Sequence, residues 1–272
     1  MKKLIAVLLA LTLALTLTFA VAEEKTTIKL GVCGDYNDYW EPVIKALADE
    51  GITVELVEFS SYPQPNRALN DGEIDVNAFQ HYKYLNSEIE SNGYDLAVIG
   101  DTIIAPLGLY SLKVTAISEI KDGDKIAIPN DASNGGRALK LLEAAGLLTM
   151  DPAVGFLGEK GDVTDNPLKL DIIETDAAQL PSLLPDVTAA IINGGNALGY
   201  GYTIDQAILV EQPSESDNPY VNILVCRTAD KDNPLYAHIL ELLHTDDEAR
   251  LLYKLYNGTI LPAWETTVTS AE

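Results

Sequence analysis

Arg137 is the residue of this 272-residue chain whose type and position most directly suggest chemistry. It closes the run Pro129-Asn130-Asp131-Ala132-Ser133-Asn134-Gly135-Gly136-Arg137. The apolar, glycine-stopped segment 138–146 that follows predicts a helix with Asn134 as its N-cap. On that reading Arg137 lies in the first turn, where free N–H groups and the positive end of the dipole oppose a fixed cation by about 0.3–1 kcal/mol. A bound carboxylate or phosphate reverses the sign. Gly135 and Gly136 would let a ligand approach the backbone, and a guanidinium offers a planar fork that fits a carboxylate bidentately. An Arg paired with Asp131, or turned to solvent, explains the segment equally well, and the run by itself leaves both open.

Other residues could complete such a site. Asn193 ends the apolar run 188–192 and precedes Gly194-Gly195, and Asn222 interrupts Val221-Asn222-Ile223-Leu224-Val225. Buried amides must find partners, and an asparagine amide can accept from an ammonium group and donate to a carboxylate. A turn cap for Asn193 and an edge-strand place for Asn222 are the plainer readings. Tyr62, Phe79 and Tyr84 could form an aromatic wall suited to a flexible unbranched or sulfur-containing side chain, or could be ordinary core. His81 could cap a helix starting near 82 or hydrogen-bond a ligand. No Gly-x-Ser-x-Gly elbow, Walker loop, zincin motif or early GxGxxG occurs. With three histidines and no CxxC, neither a zinc site nor another cofactor is expected, and binding without catalysis is favoured.

The elements that must position these residues alternate. Strand-like runs at 27–32, 53–59, 74–78, 96–100 and 103–110 are interleaved with helix-like runs at 40–49, 66–70 and 82–91. A second unit holds strands at 125–128, 168–174 and 188–192 with helices after each. The strand 220–226 and helices 234–243 and 246–256 are too few to fold alone and are expected to return to the first unit. This predicts an α/β fold of two lobes, 23–110 with 217–272 and 111–216, joined by crossovers near 111–114 and 213–218. Such a hinge closes a cleft around a small ligand at the carboxyl ends of the strands, where Tyr62, Phe79, His81, Arg137 and Asn193 fall.

Residues 1–22 carry Lys2 and Lys3, an apolar run over 4–17 and Ala20-Val21-Ala22, the pattern of a Sec signal peptide. The first cysteine, Cys33, lies well beyond the apolar run, so the exported protein is expected in the periplasm or outside the cell without a lipid anchor. The leader takes two lysines and no acid, which moves the net charge from −23 to −25. Nucleic acid and anionic lipid surfaces would repel such a chain. Cys33 and Cys226 sit in apolar runs, where buried free thiols are the first expectation and a disulfide the alternative that export permits.

Ordered motifs run through most of the chain: Phe59-Ser60-Ser61-Tyr62; Gly72-Glu73-Ile74-Asp75-Val76-Asn77-Ala78-Phe79-Gln80-His81; Gly108-Leu109-Tyr110-Ser111; Ile128-Pro129-Asn130-Asp131 with Gly136-Arg137-Ala138-Leu139; Ile191-Ile192-Asn193-Gly194; and Asn218-Pro219-Tyr220-Val221-Asn222. Through them the chain resembles the methionine-binding (NlpA-type) lipoprotein family of ABC importer solute-binding proteins over about residues 27–264. The resemblance implies a type II periplasmic binding protein fold, a monomer that binds methionine, a close relative or a methionine dipeptide, and an ABC permease with its ATPase as partners. It also implies Arg137 as carboxylate clamp, Asn193 and Asn222 as polar contacts, Tyr62, Phe79, His81 and Tyr84 as the side-chain pocket, and Asn134 beside Arg137. Departures from the family pattern are the missing N-terminal cysteine, Gly195-Asn196 in place of an Asn-Tyr pair, and the lack of a Pro-Gly-rich turn over 33–40. A free scavenger or receptor-docking sensor is the alternative function, and an enzyme on the same scaffold a third.

Overall fold

The run 27–33 becomes the parallel centre of a first sheet. In the computed structural model, which describes residues 26–34, 36–212 and 218–268, β1 (Thr27–Cys33) pairs in parallel with β2 (Thr53–Phe59) and with β3 (Val76–His81). Parallel neighbours need crossover connections, which α1 (Glu41–Asp49) and α2 (Pro63–Asn70) supply. Both helices place a proline in their first turn, where its missing N–H costs no hydrogen bond. α3 (Tyr82–Asn92) follows β3 directly and stops at Gly93, whose φ of 70° is left-handed. β4 (Leu96–Ile104) completes this stretch.

The chain then passes to a second sheet at Ala105-Pro106. There β5 (Leu107–Tyr110), β6 (Lys125–Pro129) and α4 (Ala132–Ala144) are followed by the hairpin β7 (Thr149–Met150) and β8 (Val163–Asp165). β9 (Asp171–Thr175), α5 (Leu180–Leu183), β10 (Ala189–Asn193), α6 (Gly194–Gly199) and β11 (Leu209–Val210) finish the unit. β12 (Val221–Arg227), α7 (Pro234–Leu243), α8 (Asp246–Tyr256) and β13 (Leu261–Pro262) return to the first sheet. The strand orders are β13-β4-β12-β3-β1-β2 and β11-β5-β10-β6-β9. The result is a two-lobed α/β molecule in which each sheet buries apolar clusters on both faces: around Leu30, Val32, Trp40 and Leu224 and around Leu69, Ile74 and Ile223 in one, and around Leu107, Ile126, Leu139 and Ile191 and around Ala127, Leu180 and Ile192 in the other.

Several details differ from the sequence expectation. β5 belongs to the second sheet, so the first crossing precedes 107 instead of falling at 111–114: Pro106 cannot donate to a ladder and breaks the apolar run 103–110 into two strands. Most of the second crossing, 213–217, and the leader 1–22 lie outside the described residues. β12 sits between β3 and β4, so Asn222 is not on an edge strand. Cys33 and Cys226 are free and buried. Among the described residues no helix is long and apolar enough to cross a membrane, and no cluster of three or more His, Cys, Asp or Glu could hold a metal ion.

Candidate functional site

β3 brings polar groups into a fully buried strand and satisfies them locally. Asn66 of α2 donates to Gln80 (2.7 Å) and accepts from Asn77 (3.0 Å) and Gln80 (2.6 Å), and Gln80 also donates to Asn77 (3.0 Å). Buried amides without such a network would cost about 1–3 kcal/mol each. The network holds the end of β3, from which Phe79 and His81 project. Phe79, Tyr84 and Tyr62 meet in tilted and edge-to-face pairs with centroids 5.8–5.9 Å apart. Phe79 is therefore core and wall together, since Cys33 and Phe59 pack behind it.

α4 begins earlier than its sequence suggests. Its N-cap is Asp131, not Asn134: the Asp131 carboxylate accepts from the Asn134 N–H at 2.8 Å. Helical geometry from Ala132 puts Arg137 in the second turn, past the free N–H groups, so the first-turn electrostatic conflict does not exist. Gly135 has a different purpose as well, because a Cβ there would lie 2.9 Å from the Pro129 carbonyl; the glycine seats the helix on β6. Arg137 is 4% exposed and has an anion already. Its Nε donates to Glu211 Oε1 at 2.7 Å, and its Nη2 donates to Glu211 Oε2 and, at 3.3 Å, to the Ala105 carbonyl. The Tyr220 ring stacks on the guanidinium with its centroid 4.1 Å from Cζ. Pairing with Asp131 is thus not observed. Glu211 stands in no motif, and Tyr220 stands in the Asn218–Asn222 motif without a role of its own, because only the fold brings 211 and 220 beside 137.

His81 does two things. Its Nδ1 accepts from the Tyr84 N–H at 3.0 Å, which caps α3 and leaves the proton on Nε2, and Nε2 donates to Asn134 Oδ1 at 3.2 Å across the interlobe cleft. Burial first, and the Arg137 cation second, push the ring's pKa down to about 3. A neutral native ring implies that the unfolded chain binds the extra proton below about 6.5. Stability from this group is therefore complete above about 6.5 and is lost as pH falls toward about 3, by up to about 1.4 kcal/mol per unit. Urea midpoints measured from pH 7 to 4 should fall more steeply for the wild type than for His81→Gln; parallel curves would refute this.

Asn193 ends β10 at the start of α6 but makes no side-chain cap. It donates instead to Asn134 Oδ1 at 2.9 Å, and its own Oδ1 is buried with no donor among the described residues. Asn222, with its amide oriented as its surroundings require, donates to the Phe79 and Gln80 carbonyls at 3.2 and 3.3 Å. All eight residues singled out by sequence, Arg137, Asn193, Asn222, Tyr62, Phe79, His81, Tyr84 and Asn134, line one cavity between the lobes, joined by Tyr36, Gln80, Ala105 and Gly195. The cavity measures about 20 Å³, room for about one water. Across the cleft Asn196 donates to Tyr62 Oη (3.1 Å) and Ser61 to Asp176 (3.0 Å), and the Tyr36 ring rests on Gly195. A larger space of about 460 Å³ adjoins on the far side of Tyr62 and Gly195.

The ionisable side chains of the cavity are held back from acid–base exchange by burial and by their partners. Both ring nitrogens of His81 are engaged, burial holds the Cys33 thiol protonated, and burial likewise raises the hydroxyl pKa of Tyr36, Tyr62 and Tyr84. What the cleft offers is a cation, amide groups and an aromatic wall, a set suited to a small zwitterion with an apolar side chain.

Comparison with known proteins agrees over most of the chain. The model of the NlpA lipoprotein family matches residues 28–264. A probable D-methionine-binding lipoprotein MetQ of Vibrio cholerae is 39% identical over 89% of this chain and 90% of its own. A solved nutrient-binding protein of Burkholderia cenocepacia bound to methionine superposes with a TM-score of 0.82, 36% identity and coverage of 87% of this chain and all of that one. A solved ABC transporter periplasmic substrate-binding protein of Coxiella burnetii gives 0.81, 38%, and again 87% and all. These likenesses place the fold among bilobed type II binding proteins. They also overturn the expectation of a protein without a lipid anchor, because the matching family and the Vibrio relative are lipoproteins. That expectation rested on the place of Cys33, the first cysteine, well beyond the apolar run.

Proposed function

The chain belongs to the NlpA lipoprotein family, and we propose that it is the extracytoplasmic solute-binding protein of an ABC importer, holding methionine as a zwitterion between its lobes and passing it to the permease and its ATPase. The carrying observation is Asn193 Oδ1, a buried acceptor with no donor beside Arg137 and the aromatic wall. An orphaned acceptor costs about 1–3 kcal/mol, a cost that a ligand ammonium group would remove. Arg137 receives the carboxylate, Asn134 and Asn222 frame the polar end, and Tyr62, Phe79 and Tyr84 take the thioether chain through dispersion and sulfur–aromatic contacts. His81, neutral, adds no competing cation. The present cavity is smaller than any amino acid, so the ligand occupies a wider setting of the same residues, and the space behind Tyr62 and Gly195 gives the wall room to retract.

Calorimetry tests this on protein unfolded and refolded to shed any copurified ligand. One methionine per chain should bind saturably, with both enantiomers titrated. Asn193→Ala should weaken the affinity by roughly 5- to 150-fold through loss of the acceptor. Absence of saturable binding by the wild type would reject the reading.

A further inference from the structure

We infer that Glu211 is a positioning residue that sets both the place of Arg137 and the net charge of the cleft, so that a zwitterion is selected over a simple carboxylate. The inference rests on the amino-acid reading above. Arg137 touches the chain at both interlobe crossings: Ala105 belongs to the first, and Glu211 and Tyr220 bracket the second. Glu211 ties them together. Its Oε2 accepts from the Leu107 N–H (3.0 Å) as well as from Arg137, and its own N–H donates to the Leu107 carbonyl (2.9 Å). The guanidinium is thus oriented from the hinge and not from α4 alone.

The charge follows from the same contacts. Among the cavity-lining residues and their direct hydrogen-bond partners, Arg137 is the cation, Glu211 cancels it, and Asp131, bonded to Asn134 at 3.1 Å, leaves the surroundings one unit negative. A carboxylate lacking an amine would bring an uncompensated charge into a closing, desolvated space. An amino acid brings its own ammonium, for which Asn193 Oδ1 is the open acceptor. Without the Glu211 charge, Arg137 would be an unpaired buried cation that rewards any carboxylate.

The test compares methionine with 4-(methylthio)butanoic acid, the same molecule without its amino group, by calorimetry on wild type, Glu211→Gln and Glu211→Asp. In the wild type methionine should bind far better than the des-amino acid. Glu211→Gln should reduce that preference roughly tenfold or more, because the carboxylate of either ligand gains while methionine's ammonium group loses the negative charge that offset Arg137. Glu211→Asp keeps the charge on a shorter arm and should weaken both ligands while keeping their ratio. Asp131→Asn removes a unit of negative charge independently and should also lower the ratio, which preserves the test if Glu211→Gln does not fold. Equal changes for both ligands, as a merely structural role would give, overturn the inference and leave the function standing; a wild type that ignores methionine overturns the function itself.

Discussion

Arg137→Ala is expected to eliminate measurable methionine binding and to destabilise the empty protein as well. The two effects have separate causes. For the ligand, truncating one partner of a buried charge-assisted pair costs about 2–5 kcal/mol, or roughly 30- to 4,000-fold in affinity. For the chain, Glu211 is left with a side chain only 17% exposed and no cation, and breaking a buried pair on one side costs about 3–5 kcal/mol. The double variant Arg137→Ala with Glu211→Gln removes the stranded charge, so thermal melting should recover most of the lost stability while calorimetry still finds no binding. Near-native affinity in Arg137→Ala would remove the residue from the site altogether.

Gly195→Val should weaken methionine binding without unfolding either lobe. A Cβ at 195 would overlap the Tyr36 ring, and these two residues come from opposite lobes. The overlap is made across the two lobes, so separating them is expected to relieve it. Overpacking at a tight contact costs about 1–3 kcal/mol, here charged wholly to closure, which corresponds to roughly 5- to 150-fold in affinity. Small-angle scattering gives the companion readout. With saturating methionine the wild type should contract and Gly195→Val should stay near its ligand-free dimensions. Full contraction at native affinity would show that Tyr36 and Gly195 do not limit closure.

Much of this architecture was legible from local pattern. Helices at 234–243 and 246–256 were read to the residue, because a proline at the first position in one and the Thr245 cap with acidic residues in the first turn of the other mark their starts. The eight residues singled out from motif and position do line a single cavity. Errors came where long-range contacts overrule local signals. Asn134 looked like a cap because it precedes two glycines and an apolar run, yet Asp131 wins the position by bonding the Asn134 N–H and side chain together. The crossing at Ala105-Pro106 was hidden inside one apolar run that the fold divides between two sheets. β11 and β13 are two-residue strands with no pattern of their own, set only by the neighbours they pair with.

By itself the sequence determined the alternation of strands and helices, the set of residues at the carboxyl ends of those strands, and the presence of a cation among amides and aromatics. Those follow from periodicity, turn chemistry and residue type, all of which act within a few residues. Only the tertiary structure decided what Arg137 is paired with. Its partner is 74 residues away, and no local rule distinguishes Glu211 among the chain's 41 acidic residues. Charge pairing in a buried cleft depends on distances of about 3–4 Å and on exclusion of water, quantities that exist only once both crossings have brought the lobes together.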